Sequence, residues 1–207
     1  MNNDLPDRLM VPAVPGLEES YVSRAGLKLS AALRTFALDV SNLIAADLGS
    51  NVGGFVDCLL RRGAAKVYSI DTAYGVLAWT LRKDPRVVVM ERQNALHTEL
   101  PERVDLVTID TGWTKQITIL PAARKLLKPT GLIVTLIKPH YESKIAKTQR
   151  GVLTPEQSRP ELSRVINEIQ HSGWSIKAIV QSPIVGQSGN MEFLALLNAQ
   201  NETFLTR

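Results

Sequence analysis

A single cysteine, Cys58, stands among the 207 residues, which excludes an intrachain disulfide framework and a multi-cysteine zinc site. Histidine is almost as scarce: His97, His140 and His171 have no close spacing, so no metal is expected. No apolar run approaches the ~18 residues that cross a bilayer. The first 20 residues lack the basic-then-apolar pattern of a secretory signal. A cytoplasmic protein without membrane contact is the expectation. Gly-x-x-x-x-Gly-Lys-[Ser/Thr] is absent, against a P-loop nucleotide hydrolase, and Gly-x-Gly-x-x-Gly is absent too, against a dinucleotide site. Neither repeats nor heptads occur, and nothing in the sequence points to an oligomeric state.

What remains is an ordinary globular composition, 44% hydrophobic and 21% charged, with a net charge of +4 and enough length to bury a full core. The charge is uneven. Residues 1–20 carry four acidic groups and one basic, while 138–160 carry five basic and two acidic. A mildly basic solvated surface accounts for this, and so does attraction to a polyanion such as nucleic acid.

Residues 1–20, punctuated by Pro6, Pro12 and Pro15, read as an irregular arm, and 21–207 as one domain. A helical pattern begins near Ser23, with Leu27, Ala31 and Leu38 between Lys28 and Arg34. Strands over 43–48, 66–70, 86–90, 106–109 and 132–137 then alternate with helices over 54–62, 76–82 and 117–127. Lys128-Pro129-Thr130-Gly131 reads as a turn. A basic loop follows the strand over 132–137, and then a helix over 155–172, capped by Thr154 with Pro155 in its first turn, precedes strands over 174–180 and 191–197. This order predicts an α/β protein with a doubly wound, mostly parallel seven-stranded sheet.

In such sheets ligands sit beyond the carboxyl ends of the strands. The first strand runs into Asp47-Leu48-Gly49-Ser50-Asn51-Val52-Gly53-Gly54-Phe55, where glycines admit close backbone approach and the following helix offers free N–H groups. Asp71 ends the second strand, where a carboxylate can accept both hydroxyls of a ribose. Asp-x-Gly-x-x-x-Gly with this second carboxylate suits S-adenosylmethionine better than a dinucleotide. A glycine-rich turn without any ligand is the alternative.

An ordered series of segments carries a resemblance. Tyr21-Val22-Ser23-Arg24-Ala25-Gly26-Leu27-Lys28-Leu29, Gly53-Gly54-Phe55-Val56-Asp57-Cys58, Ala78-Trp79, Asp84-Pro85-Arg86-Val87, Leu106-Val107-Thr108-Ile109-Asp110, Ile137-Lys138-Pro139 and Gly189-Asn190-Met191-Glu192-Phe193 resemble the hemolysin A (TlyA) group of FtsJ-type ribosomal RNA 2′-O-methyltransferases. The similarity runs over about 21–197. It implies a Rossmann-like methyltransferase fold and S-adenosylmethionine as cofactor. It also implies RNA, in a ribosomal subunit or free, as partner. Cofactor contacts would come from Asp47, Gly49, Ser50, Gly53, Gly54, Phe55, Asp71 and Asp110, with Asn94 and Ala95 at the adenine.

The same resemblance implies a Lys-Asp-Lys-Glu tetrad of Lys28, Asp110, Lys138 and Glu192. A ribose 2′-hydroxyl is a weak nucleophile near neutral pH and must lose or share its proton as it attacks. Lysines flanked by carboxylates can align it and manage that proton, with Lys138 as the acceptor and Asp110 positioning it. Taken singly, each residue has a plainer reading: a solvated lysine for Lys28, a turn-capping aspartate for Asp110, a salt-bridge partner for Glu192.

Two departures stand out. Family members carry an S4-like RNA-binding domain before the catalytic one, whereas here about twenty residues of net negative charge, interrupted by prolines, precede the match. RNA affinity would then rest on the basic surface, a partner or the assembled ribosome. After Asp110 the family's Ser-Phe-Ile-Ser-Leu is replaced by Thr111-Gly112-Trp113-Thr114-Lys115-Gln116, where Trp113 is expected to stack on a base or cover the pocket. Ser143 to Arg150, with Lys144 and Lys147, reads as a phosphate-contacting lid. A non-catalytic RNA-binding or ribosome-assembly protein on the same fold is the alternative function. The toxin-like family name finds no spanning segment or basic amphipathic helix to support it.

Overall fold

The structure, a computed structural model, describes residues 9–13, 20–144 and 151–199. Seven strands form one sheet: β1 (Ile44–Leu48), β2 (Lys66–Asp71), β3 (Val87–Glu91), β4 (Val104–Ile109), β5 (Leu127–Ile137), β6 (Trp174–Gln181) and β7 (Phe193–Ala199). Their spatial order is β3-β2-β1-β4-β5-β7-β6. β1 to β5 are parallel, and β7 runs antiparallel to both β5 and β6. The doubly wound, mostly parallel sheet expected from the alternation is present.

Central strands are apolar on both sides because both faces are covered. On one face lie α1 (Ala25–Thr35), α2 (Gly54–Arg61) and the single turn α3 (Trp79–Arg82). Leu29, Leu33, Phe55, Leu59 and Leu81 pack there against Ala45, Val67 and Val134. On the other, α4 (Gln116–Leu126) and α6 (Pro155–His171) bring Ile119, Leu120, Leu162 and Ile166 against Ile70, Val107 and Ile133. At α6 the expected cap is in place: Thr154 N donates to Gln157 Oε1 at 3.0 Å, with Pro155 opening the helix.

Three local readings are corrected. Lys128-Pro129-Thr130-Gly131 is not a turn: the chain leaves α4 directly into β5 in extended conformation. The register steps from Val104↔Leu127 to Leu106↔Leu132, so Pro129 and Gly131 mark a bulge at the start of the strand. A short helix, α5 (Pro139–Glu142), stands where a loop was expected. The last strand begins at Phe193, which leaves Glu192 just ahead of it. The described part of the arm is docked rather than free: Leu9 is buried, Met10 bridges Ile179, and Val11 N donates to Ile179 O at 2.9 Å. The expected lid falls mostly outside the described residues.

Strand order reverses between β1 and β4, so a crevice opens at their carboxyl ends. Those ends carry Asp47, Gly49 and Asp110.

Candidate active site

Two cavities of about 310 and 350 Å3 meet at this crevice and share Gly49, Asn51, Asp110 and Gly112. The first is lined by Asp71, Thr72, Ala73, Asn94 and Ala95. The second is lined by Lys28, Asp47, Asp110, Lys138, Tyr141 and Glu192. A larger concavity of about 610 Å3 runs along α6, away from the strand ends, where Arg164 pairs with both Glu161 and Glu168.

Residues distant in sequence converge in the second cavity. Lys28 reaches it from the first turn of α1, and its Nζ lies 2.5 Å from Glu192 Oε2. Glu192 fits because position 186 is glycine: a Cβ there would stand 2.6 Å from Glu192 Oε1. Opposite, Lys138 Nζ lies 2.5 Å from Asp110 Oδ1 and donates to Thr111 O at 3.3 Å. Both pairs are largely withdrawn from water. The sequence therefore folds into two lysine–carboxylate pairs facing one space.

Also in the second cavity is Asp47, at 1% exposure. Thr108 Oγ1 donates to its Oδ1 at 2.7 Å, while Oδ2 has no hydrogen-bond partner. Burial, reinforced by Asp110, lifts this carboxyl to about 7, against the opposing hydrogen bond from Thr108. A buried carboxylate with a spare oxygen fits a cationic ligand group. Gly49 brings the backbone close beside it: its φ is +87°, and a Cβ would stand 2.7 Å from Asp110 O. These features fit the amino-acid end of S-adenosylmethionine. At the other end, Asp71 accepts from Asn51 N at 2.7 Å and Ala73 N at 2.8 Å. Each of its oxygens keeps a lone pair for a ribose hydroxyl.

Of the expected cofactor residues, Asp47, Gly49, Ser50, Phe55, Asp71, Asn94, Ala95 and Asp110 line one cavity or the other. Gly53 and Gly54 line neither. Their contribution is steric: a Cβ on Gly54 would stand 2.3 Å from Ser23 Oγ, and one on Gly53 2.4 Å from Leu81 Cδ1. They let α1 and α3 close on the loop.

Further side chains border the site. Tyr141 stacks on Trp113 with ring centroids 4.3 Å apart, and Lys138 Nζ lies 5.2 Å from the Tyr141 centroid. His140 is buried, and its Nδ1 has no hydrogen-bond partner. Burial first, then the charges of Lys138 and Lys28, depress it to about 4, so the imidazole is neutral near pH 7. Asn190 ties down the segment beside it, donating to Gly151 O at 2.8 Å and accepting from Leu153 N at 2.9 Å. Tyr141 escaped the sequence reading; its signal was closeness to Lys138, masked by the unrecognised helix. Among the described residues no helix is long and apolar enough to cross a membrane.

A strand-order switch, a glycine-lined loop and acidic residues at the first two strand ends define an S-adenosylmethionine-dependent methyltransferase fold. A methyltransferase of that class from Listeria monocytogenes superposes with a TM-score of 0.62 at 17% identity, covering 86% of this chain and all of that one. The FtsJ-like methyltransferase model matches residues 21–199, and the chain belongs to that family, in its TlyA/hemolysin A group. It is 38% identical to the 16S/23S rRNA (cytidine-2′-O)-methyltransferase TlyA of Mycobacterium tuberculosis over 97% of this chain and 76% of the relative. Hemolysin A of Brachyspira hyodysenteriae is 36% identical over 84% and 75%. A solved hemolysin-like structure from Streptococcus thermophilus, also 36% identical, gives a TM-score of 0.84 over 90% of this chain and 70% of that one.

Proposed function

We propose that this protein is an S-adenosylmethionine-dependent RNA ribose 2′-O-methyltransferase acting on ribosomal RNA in the cytoplasm. In this reading 21–207 form the catalytic domain and 1–20 the arm. One observation carries the proposal: two lysine–carboxylate pairs, Lys28–Glu192 and Lys138–Asp110, line one cavity that also holds Asp47 and shares a wall with the Asp71 cavity. A ribose hydroxyl needs alignment and proton removal, and this arrangement supplies both.

S-adenosylmethionine, when bound, supplies a methyl group already activated by its sulfonium charge. Asp47 holds the ligand's ammonium, Asp71 its ribose hydroxyls, and Asn94 and Ala95 its base. Lys28 and Glu192 orient the target ribose. Asp110 aims Lys138 Nζ at the 2′-hydroxyl. As a free amine, Lys138 Nζ would take the proton that the 2′-hydroxyl gives up on accepting a methyl group.

The deciding experiment is transfer of labelled methyl from S-adenosylmethionine to ribosomal subunits and to protein-free rRNA, with the product mapped. A 2′-O-methyl nucleotide, absent with Lys138→Ala, is the expected result. Cofactor binding with no transfer to either substrate would favour a non-catalytic assembly role.

A further inference from the structure

The short helix α5 and the loop that follows β4 are joined at three successive points. Lys138 Nζ donates to Thr111 O at 3.3 Å, Tyr141 stacks on Trp113 at 4.3 Å, and Glu142 Oε1 accepts from Gln116 N at 2.7 Å. The third contact is the least expected. Gln116 opens α4, and the residue before it, Lys115, provides no side-chain cap. An uncapped helix start leaves N–H groups unsatisfied and carries partial positive charge. Glu142, 26 positions away and 4% exposed, supplies the missing acceptor.

The contact belongs to a closed circuit. Gln116 Nε2 donates to Leu136 O at 3.2 Å, and Thr135 Oγ1 donates to Gln116 Oε1 at 2.7 Å. β5 runs from these residues into Lys138, and α5 carries the chain one turn on to Glu142, with Tyr141 N bonded to Lys138 O at 2.9 Å. From Glu142 the path returns to Gln116. Lys138 lies on the circuit and pairs with Asp110, and the loop between Asp110 and Gln116 has no helix or strand of its own to hold it. Arg164 of α6 reinforces the outer corner, its Nη2 donating to Glu142 O at 3.3 Å.

We infer that Glu142 is a positioning residue: by capping α4 it fixes the loop that carries Asp110 and thereby the geometry of the Asp110–Lys138 pair. It touches neither substrate nor cofactor. The inference rests on the proposed methyl transfer for its catalytic consequence, and on the hydrogen-bond circuit alone for its structural one. Burying a carboxylate for this purpose is costly, and its carboxyl is raised above the usual range by burial, against the opposing Gln116 N–H. Such a cost is sustained where the group organises its surroundings.

The test compares Glu142→Gln, Glu142→Asp and Glu142→Ala in the full chain, with Leu162→Ala as a control that loosens the core under α6 but lies outside the circuit. Without ligand, hydrogen exchange of the Gln116 amide and of 111–115 is read beside the melting temperature. With cofactor and RNA, kcat and KM are measured separately. Glutamine keeps an acceptor at the same reach, so loop protection and kcat stay within about threefold of wild type. Aspartate falls one methylene short and alanine lacks an acceptor. Both should speed Gln116 exchange at least tenfold and lower kcat tenfold or more, with the cofactor KM unchanged within threefold.

A folded Glu142→Asp protein with wild-type exchange and kcat would overturn the inference. So would an equal kcat loss in Leu162→Ala at a matched drop in melting temperature. If the wild-type protein transfers no methyl, the functional proposal fails, and the exchange data still decide the capping role.

Discussion

The residues proposed for the cofactor and the four of the proposed tetrad line two cavities with a common wall, yet the two sets come from different kinds of chain. Asp47, Gly49, Ser50 and Asp71 lie within 25 positions of one another, on two adjacent parallel strands and the loop between them. Their carboxylates are steadied by nearby groups: Asp71 by two backbone N–H donors, Asp47 by Thr108 on the neighbouring strand. Lys28, Asp110, Lys138 and Glu192 come from four separated elements, and each carboxylate is matched to a lysine from far along the chain. The Asp71 side is a property of one β-α-β segment, whereas the Lys138 side is a property of the finished fold.

That difference can be broken from either side. The largest effect is expected from Lys138→Ala or Asp110→Ala. Methyl transfer should fall by roughly 10³-fold, within the 10²–10⁴ range of a positioned proton acceptor. Cofactor affinity, read by calorimetry, should change little in Lys138→Ala, which separates the two cavities functionally. Wild-type rates in either variant would remove that residue from the proposed tetrad.

Glu192→Ala comes next. It leaves the Lys28 ammonium buried and unpaired, and loss of a buried partner costs about 3–5 kcal/mol, to be read by urea unfolding. Lys28→Met combined with Glu192→Leu should recover most of that stability while remaining inactive. A double variant as unstable as the single one would contradict this account of the pair.

Asp47→Asn probes the proposed cofactor contact inside the second cavity. Its carboxyl titrates near 7 in the folded chain and near 4 when unfolded. Protonation is therefore favoured by folding: the associated stability is complete below pH 4 and lost as pH rises through 7. That loss, on the order of a few kcal/mol, should vanish in Asp47→Asn, making the ligand-free variant melt higher than wild type at pH 8. Cofactor affinity should behave oppositely. It should strengthen from pH 6 to 8 in the wild type, as the carboxylate becomes available to the ammonium. In the variant it should be weaker by about tenfold or more and flat with pH. A pH-independent wild type would mean that Asp47 does not face the ligand's charge.

The smallest effect is expected from Gly49→Ala. A left-handed residue with a Cβ pressed on Asp110 O should cost about 1–2 kcal/mol and impair both cavities together, because Gly49 stands in their common wall. A variant that weakens one activity alone would show the wall to be less shared than the geometry has it.

The same division sets what could be read from the residues. Alternation of apolar runs with Asp47-x-Gly49 and Asp71 at strand ends announces the sheet and its ligand edge, because these signals are local. Convergence of Lys28 with Glu192, 164 positions apart, has no local signal; the family resemblance supplied it. Local punctuation also misled. Pro129 and Gly131 suggested a chain reversal where neighbouring β4 imposes a bulged strand. Lys138-Pro139 suggested a loop where Pro139 opens a helical turn held by Glu142 and Arg164. In both places tertiary contacts override the propensity of the segment.

β7 lies between β5 and β6 although it follows both in the chain. A ribosome making this protein releases the central strand of that trio last, so β5 and β6 must wait, unjoined, for it to slot between them. Until it does, Glu192 is not beside Lys28, and α1 has no partner for the charge it must bury. In the nascent chain the Asp47–Asp71 stretch can therefore fold well before Lys28 finds Glu192.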